Sequence, residues 1–220
     1  MADGLSYVPF KPGPGLVEHI ALHIEHQIVA GILRSGDRIQ ETRVVNQLDV
    51  SRGSVRESFR VLERRRLIDV IPRRGAIVTS LSPSRVQDLT SALPVLIAHV
   101  VSELVPVWSP KHSKSLDEAM QASESKFGCI NPVSVLDAIC RLHPNTVYRE
   151  LIDDLIPTFD RVFSKLVRLN LSGVESLDRM LKTKLIAAIE AGQIDESVYQ
   201  VSELCRSLER KYLETLERTG

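Results

Sequence analysis

The sequence predicts a mainly α-helical protein in two parts: three helices and a small β-hairpin first, then an all-helical bundle. Three observations carry this. Apolar residues fall on one helical face at Leu16, Val17, Ile20, Ile24, Ile28 and Ile32. Between Leu67 and Thr79 the helical period gives way to two short runs rich in β-branched residues. From Ser84 onward nearly every segment returns to helical spacing. With 220 residues, 43% of them hydrophobic and 25% charged, the chain is long enough for two cores.

Met1 to Pro14 holds three prolines and two glycines and reads as a loose arm, residues 1–14. Leu16–Leu33 is the first helix, and Ser35-Gly36-Asp37 breaks it. Glu41–Leu48 is a short second helix with Val44, Val45 and Leu48 apolar. Asp49-Val50 makes a tight turn. Ser51 or Ser54 can cap a third helix running to about Arg65, with Val55, Phe59 and Leu62 as its buried stripe. Leu67–Ile71 and Ala76–Thr79 flank Pro72-Arg73-Arg74-Gly75, a hairpin signal with two cations at its tip. Residues 15–81 therefore have the organisation of a winged helix-turn-helix. Residues 82–220 begin at the hinge Leu81-Ser82-Pro83-Ser84. Helices are expected near Ser84–Val107, Ser113–Phe127, Pro132–Leu142, Asn145–Leu169, Val174–Ala191 and Asp195–Arg218, with kinks or breaks at Pro94 and Pro157.

The formal net charge is zero, but it is unevenly placed. Gly15–Ser80 has 11 Lys+Arg against 8 Asp+Glu, and Leu81–Gly220 has 16 against 19. A basic head on an acidic body suits a head that meets phosphates. Cys129, Cys140 and Cys205 are widely spaced and odd in number, which points to neither a disulfide framework nor a zinc finger. A reduced, cytoplasmic setting is expected. No apolar run is read as approaching a membrane span, and no secretory signal is read at the N-terminus. No metalloprotease motif, nucleophile elbow or phosphate loop supports an enzyme.

The richest segment is Asp49 to Glu63. A helix entering the major groove needs an apolar face to anchor it and short polar or Arg residues at its N-terminal end. Ser51 and the amides there can hold a phosphate. Arg52 and Arg56 lie one turn apart, and the Arg fork matches guanine O6 and N7. Gly53 removes bulk where the backbone would approach a duplex.

These residues resemble the GntR family of bacterial regulators, whose pattern "L-x-E-x-x-(L/V)-A-x-x-L-G-V-S-R-x-x-V-R-E-A-L" is matched from Ile39 through Phe59. Ile32–Ile39 is similar to the family's "L-x-P-G-x-x-L", and Pro72–Val78 to its "P-x-x-G-x-x-V" wing. The resemblance implies a regulator that binds a short palindromic operator in double-stranded DNA as a homodimer. Base contacts would fall on Arg52 and Arg56, and backbone contacts on Ser51, Ser54 and Gly75. Arg43 would add a contact from the second helix, and Arg73 and Arg74 would bring charge to the wing. The chain departs from the family twice. Asp49 replaces the turn glycine, and Arg66 replaces the glycine that ends the recognition helix. Arg64-Arg65-Arg66 fits either a solvated face or a contact surface.

The helical remainder is similar to the FadR-type branch, which carries an FCD-like C-terminal domain. Many members of that branch hold a divalent metal through one Asp and three His. Here Asp137 keeps its place. Arg141 and Lys182 stand where two histidines belong, Leu204 or Cys205 stands at the third, and His143 could compensate only in part. No cofactor and no tightly bound metal are therefore expected. Two readings stay open: Arg141 and Lys182 grip an anionic, possibly carboxylate, effector with Asp137 and His143 beside them, or Arg141 pairs with Asp137 while Lys182 reaches solvent. A regulator without an effector is a further alternative. Trp108 and Tyr148 fit pocket lining or core. His19, His23 and His26 share one face at metal-compatible spacing and leave a small metalloprotein as the remaining alternative.

Overall fold

The computed structural model describes residues 15–123, 130–169 and 171–219. The expected arm, the end of the helix expected to reach Phe127, and Cys129 lie outside them. The described chain forms two compact units. The first runs up to Ile28 and continues with Ile32–Thr79; the second comprises Val29–Gly31 and Ser80 onward.

The first unit contains α1 (Leu16–Val29), α2 (Glu41–Leu48), α3 (Arg52–Arg64) and strands β1 (Arg38–Ile39), β2 (Ile68–Ile71) and β3 (Gly75–Val78). Ile20, Ile24 and Ile28 of α1 form one core with Val55, Phe59 and Leu62 of α3. Each such side chain contributes roughly 1.5–3 kcal/mol by leaving water. α1 is shorter than expected. The amides of Ile32 and Leu33 both turn back to the Gln27 carbonyl, at 2.9 and 3.0 Å, and end the helix before Leu33. The sheet has three antiparallel strands in the order β1-β3-β2, where a two-stranded hairpin was expected. β1 pairs Arg38 with Ile77 and Ile39 with Ala76. A two-residue strand carries too little alternation to register as one in sequence.

The end of α3 shows how the chain manages without glycine. Arg66 takes φ +57, its amide bonds the Glu63 carbonyl at 2.8 Å, and the Leu67 amide bonds the Leu62 carbonyl at 3.0 Å. This pair of bonds is a Schellman motif with arginine in the left-handed position. Gly192 occupies the same position after Glu190 at φ +70, with matching bonds from Gly192 to Ile189 and from Gln193 to Ala188. The Arg66 carbonyl accepts from the Thr79 hydroxyl at 2.9 Å, which helps hold the strained turn.

The arginine triplet divides. Arg64 and Arg66 are exposed, whereas Arg65 is buried and reaches α1. Its guanidinium bonds Glu25 at 2.9 Å and also Glu18. Burial disfavours its charge, but the carboxylates of Glu25 and Glu18 outweigh this and hold its pKa above the usual arginine range. This arginine is a structural tie, neither solvated nor available to DNA.

The second unit contains α4 (Pro83–Leu104), α5 (Pro110–Ala122), α6 (Pro132–Arg141), α7 (Thr146–Leu169), α8 (Leu171–Met180), α9 (Ala187–Glu190) and α10 (Ile194–Thr219). Its core is built on α4, α7 and α10 through residues such as Leu93, Ile97, Phe159, Val162, Leu204 and Leu208. Neither Pro94 nor Pro157 splits its helix. Ser82 caps α4, accepting from the Arg85 amide, so this helix starts one residue before Ser84. The reading that no apolar run nears a membrane span is corrected here. Pro83–Val107 is long and apolar enough to cross one, holding an 18-residue stretch of mean hydropathy 1.6. It is instead the unit's core helix, with Leu89, Leu93, Ile97 and Val101 buried. Trp108 packs at the edge of this core and its indole donates to Ser113 at 2.9 Å.

Between α8 and α9, Leu181–Ile186 forms a π-helical segment. Leu177, Leu181, Leu185 and Ile189 recur every four residues and are all buried. An α-helix turns more than a full circle in four residues, so this spacing would drift off the core. The wider i→i+5 turn keeps it facing inward.

Candidate nucleic-acid interface

α2 and α3 meet through a turn that the sequence shapes closely. Asp49 ends α2 at φ +52, ψ +52, and its amide closes on the Val45 carbonyl. Aspartate is among the few residues that visit this region readily without being glycine. Ser51 then caps α3: its hydroxyl accepts the Ser54 amide at 3.0 Å and lies 2.9 Å from the Ser54 hydroxyl. The amides of Arg52 and Gly53 have no intrahelical acceptor, which is the arrangement that receives a phosphate at a helix start.

Arg43, Ser51, Arg52, Gly53 and Arg56 are all exposed, and Ser54 is half-buried. The Arg56 side chain keeps 64% of its exposure although its Nε bonds both carboxylate oxygens of Glu41, at 3.1 and 3.0 Å. Glu41 therefore grips the guanidinium by its Nε, and the terminal nitrogens take no part in this contact. Those nitrogens form the edge that a guanine would meet.

Gly53 has no internal steric reason to be glycine. A Cβ built there would find only the Ser51 hydroxyl, at 3.7 Å. Gly53→Ala should therefore raise head stability by up to about 0.5 kcal/mol, the low end of the glycine penalty in a helix. It should also weaken binding to operator DNA. Unfolding midpoints and anisotropy titrations would check both halves; unchanged binding would leave the glycine without a role.

The wing is a tight turn closed by the Arg74 amide on the Ile71 carbonyl at 2.9 Å. Pro72 precedes Arg73, which takes φ +62, as the third residue of a type II turn must. Arg73 and Arg74 are exposed. Gly75 is buried, at φ +87, and a Cβ there would lie 2.3 Å from the Ile39 carbonyl oxygen. The close approach that demands this glycine is made by β1, within the protein itself.

α3 and the wing frame a concavity of about 320 Å³, lined by Arg38, Glu41, Thr42, Arg56, Arg73 and Arg74 among others. Four cations face one carboxylate there, a setting made for a polyanion. Arg38 was missed in sequence because it sits on the unanticipated β1. Its Nε donates to the Arg74 carbonyl at 3.0 Å and ties the wing tip to the head. Glu41 lay inside the matched pattern, and only its contact with Arg56 gives it a role.

In the second unit, the residues read as an effector site do not converge. Arg141 bonds Asp137 at 2.9 Å and Asp153 of α7 at 2.7 Å. Lys182 bonds Asp178 at 3.0 Å, within its own helix. His143 faces Glu103 at 2.8 Å while its Nδ1 accepts the Asn145 amide at 3.1 Å. Tyr148 packs against His143 and His99, and its hydroxyl lies 2.8 Å from the His99 ring. Of the two readings of Arg141, this geometry favours the pairing with Asp137.

A divalent metal does not fit these residues. One Asp137 oxygen is taken by the Arg141 guanidinium, and burial pushes the Asp137 carboxyl up despite that bond. Burial also pushes the Cys140 and Cys205 thiols up to about 12, which disfavours thiolate ligands. Among the described residues, no three His, Cys, Asp or Glu side chains gather to hold an ion. That includes the first-helix histidines, where His23 instead lies 2.7 Å from the Gln27 amide and burial, then His26, lowers its pKa.

Residues 16–78 match the model of the gntR family of bacterial regulatory proteins. The chain is 27% identical over 88 residues to the gluconate operon transcriptional repressor of Bacillus subtilis, 40% of this chain and 36% of that protein. It is 33% identical over 79 residues to the HTH-type transcriptional regulator YdhC of the same organism, 36% of this chain and 35% of that protein. It thus spans about a third of the length of these relatives. Two solved structures share the fold over both units. One is a Rhodococcus sp. RHA1 protein described as a GntR transcriptional regulator, with TM-score 0.73 and 19% identity over 91% of this chain and 99% of the other. The other is E. coli McbR/YncC, with TM-score 0.73 and 17% identity over 94% of this chain and 100% of the other. The head of this chain, with its capped third helix and arginine-framed wing, is thus similar over residues 16–78 to the gntR family of bacterial regulatory proteins.

Proposed function

We propose that the whole chain is a sequence-specific transcriptional regulator. It binds a short palindromic operator as a homodimer in the cytoplasm, and a small molecule taken up by the helical unit, of the FadR type, controls it. The observation that carries this is the concavity between α3 and the wing, where Arg56, Arg73, Arg74 and Arg38 converge. One head offers few contacts, and a palindrome calls for a two-fold pair. The helical unit leaves Val95, Val107, Val147 and Leu151 exposed, apolar side chains that a second copy could cover.

Two measurements test this reading. Light scattering should give a dimer of the 24.6 kDa chain at micromolar concentration, and a monomer would overturn that part. Arg73→Ala should weaken binding to all DNA sequences and reduce the slope of log K against log salt by about 1, as loss of one phosphate contact requires. An unchanged slope would remove the wing from the interface.

A further inference from the structure

The second unit carries three cations on one face of α7 that the regulator reading has not used. Arg161, Lys165 and Arg168 follow at i, i+4 and i+7, the spacing that stacks side chains on one side of a helix. They grade outward: Arg161 is buried at 4% exposure, Lys165 is half-buried and Arg168 is exposed. The Lys165 ammonium donates to the Tyr212 hydroxyl at 3.2 Å and lies 5.3 Å from the centre of that ring. The same hydroxyl donates to the Leu81 carbonyl at 3.3 Å, which places the cluster where the second unit begins.

Cations elsewhere in this unit meet carboxylates: Arg141 meets Asp137 and Asp153, Lys182 meets Asp178, and Arg206 meets Glu203. Among the described residues, neither Lys165 nor Arg168 has such an ion pair. Burial pushes Arg161 down to about 10, with Arg168 adding to the effect. Burial, then Arg161 and Arg168, lower Lys165, and burial lowers Arg168. Like charges held together in a partly dry setting are a store of positive potential that an anion relieves.

We propose that Arg161, Lys165 and Arg168, with Tyr212 steadying the ammonium, bind a small oxyanion, a carboxylate or phosphate group, and that the helical unit receives its effector there. The effector role rests on the regulator reading above; the anion site does not. Arg168 bonds the Val29 carbonyl through one terminal nitrogen at 3.1 Å, its remaining N–H groups can donate to either oxyanion, and the ammonium adds a point charge. Because Arg161 is buried, only a small group reaches all three.

The test is thermal unfolding of the full chain in sodium chloride, sodium succinate or sodium phosphate at matched ionic strength. One or both oxyanions should raise the midpoint saturably, by at least about 4 °C at about 10 mM. A rise with succinate alone identifies a carboxylate site, and with phosphate alone a phosphate site. Lys165→Gln should hold the wild-type midpoint or better in chloride, because a like charge is gone, and should lose the anion-dependent rise. Arg168→Gln should weaken that rise at no cost in chloride. The site is overturned by no saturable rise with either anion, by a rise that survives in Lys165→Gln, or by a Lys165→Gln protein that unfolds many degrees earlier in chloride. A rise that leaves operator affinity unchanged keeps the site and removes its effector role.

Discussion

Arg56→Ala is expected to cost roughly 1–3 kcal/mol of operator affinity, a loss of about five- to 150-fold, and to relax base preference at one position per half-site. The exposed guanidinium is gripped at Nε by Glu41, so its terminal nitrogens are presented with part of their ordering already done. Glu41→Gln should therefore weaken binding less than Arg56→Ala, by freeing the arginine without removing it. Anisotropy titrations against an operator library would measure affinity and preference together. Unchanged affinity and preference in Arg56→Ala would mean that α3 does not read DNA.

Arg65→Ala should destabilise the first unit by about 3 kcal/mol, near the low end for breaking a buried ion pair because Glu18 is partly in water. The loss comes chiefly from Glu25, whose side chain is only 13% exposed and would be left buried without its cation. Urea unfolding followed through the head should show the midpoint fall with the slope retained. A change below about 1 kcal/mol would show that water replaces the guanidinium. Its neighbours Arg64 and Arg66 are exposed, so no comparable loss is expected from them.

The head was legible because several local rules agreed over a short stretch. The apolar stripe Val55, Phe59, Leu62, the cap at Ser51, and Asp49 in a left-handed turn each pointed to the same helix-turn-helix. What escaped was set by contacts distant in sequence. Arg38 gains its role from the Arg74 carbonyl 36 residues away, and Arg65 from glutamates more than a turn apart on another helix. No period in the sequence encodes those distances. The same limit explains the helical unit: the resemblance to the FadR-type branch put Arg141 and Lys182 beside one cavity, whereas Asp153 and Asp178 decide where each cation goes. Likewise Arg161, Lys165 and Arg168 are ordinary residues of an amphipathic helix until burial takes Arg161 and part of Lys165 out of solvent.

The π-helical segment at Leu181–Ile186 bears on descent and on sequence alignment. A single wide turn is what remains when one residue is inserted into an α-helix and the flanking faces keep their packing. Removing a residue such as Thr183 would restore plain α geometry and bring Leu181, Leu185 and Ile189 to the i, i+3, i+7 spacing of one α-helical face, so the core contacts would be kept. A relative without the insertion must therefore be aligned with a gap inside this helix, and the side of Lys182 on which the gap is placed decides which of its residues Lys182 replaces.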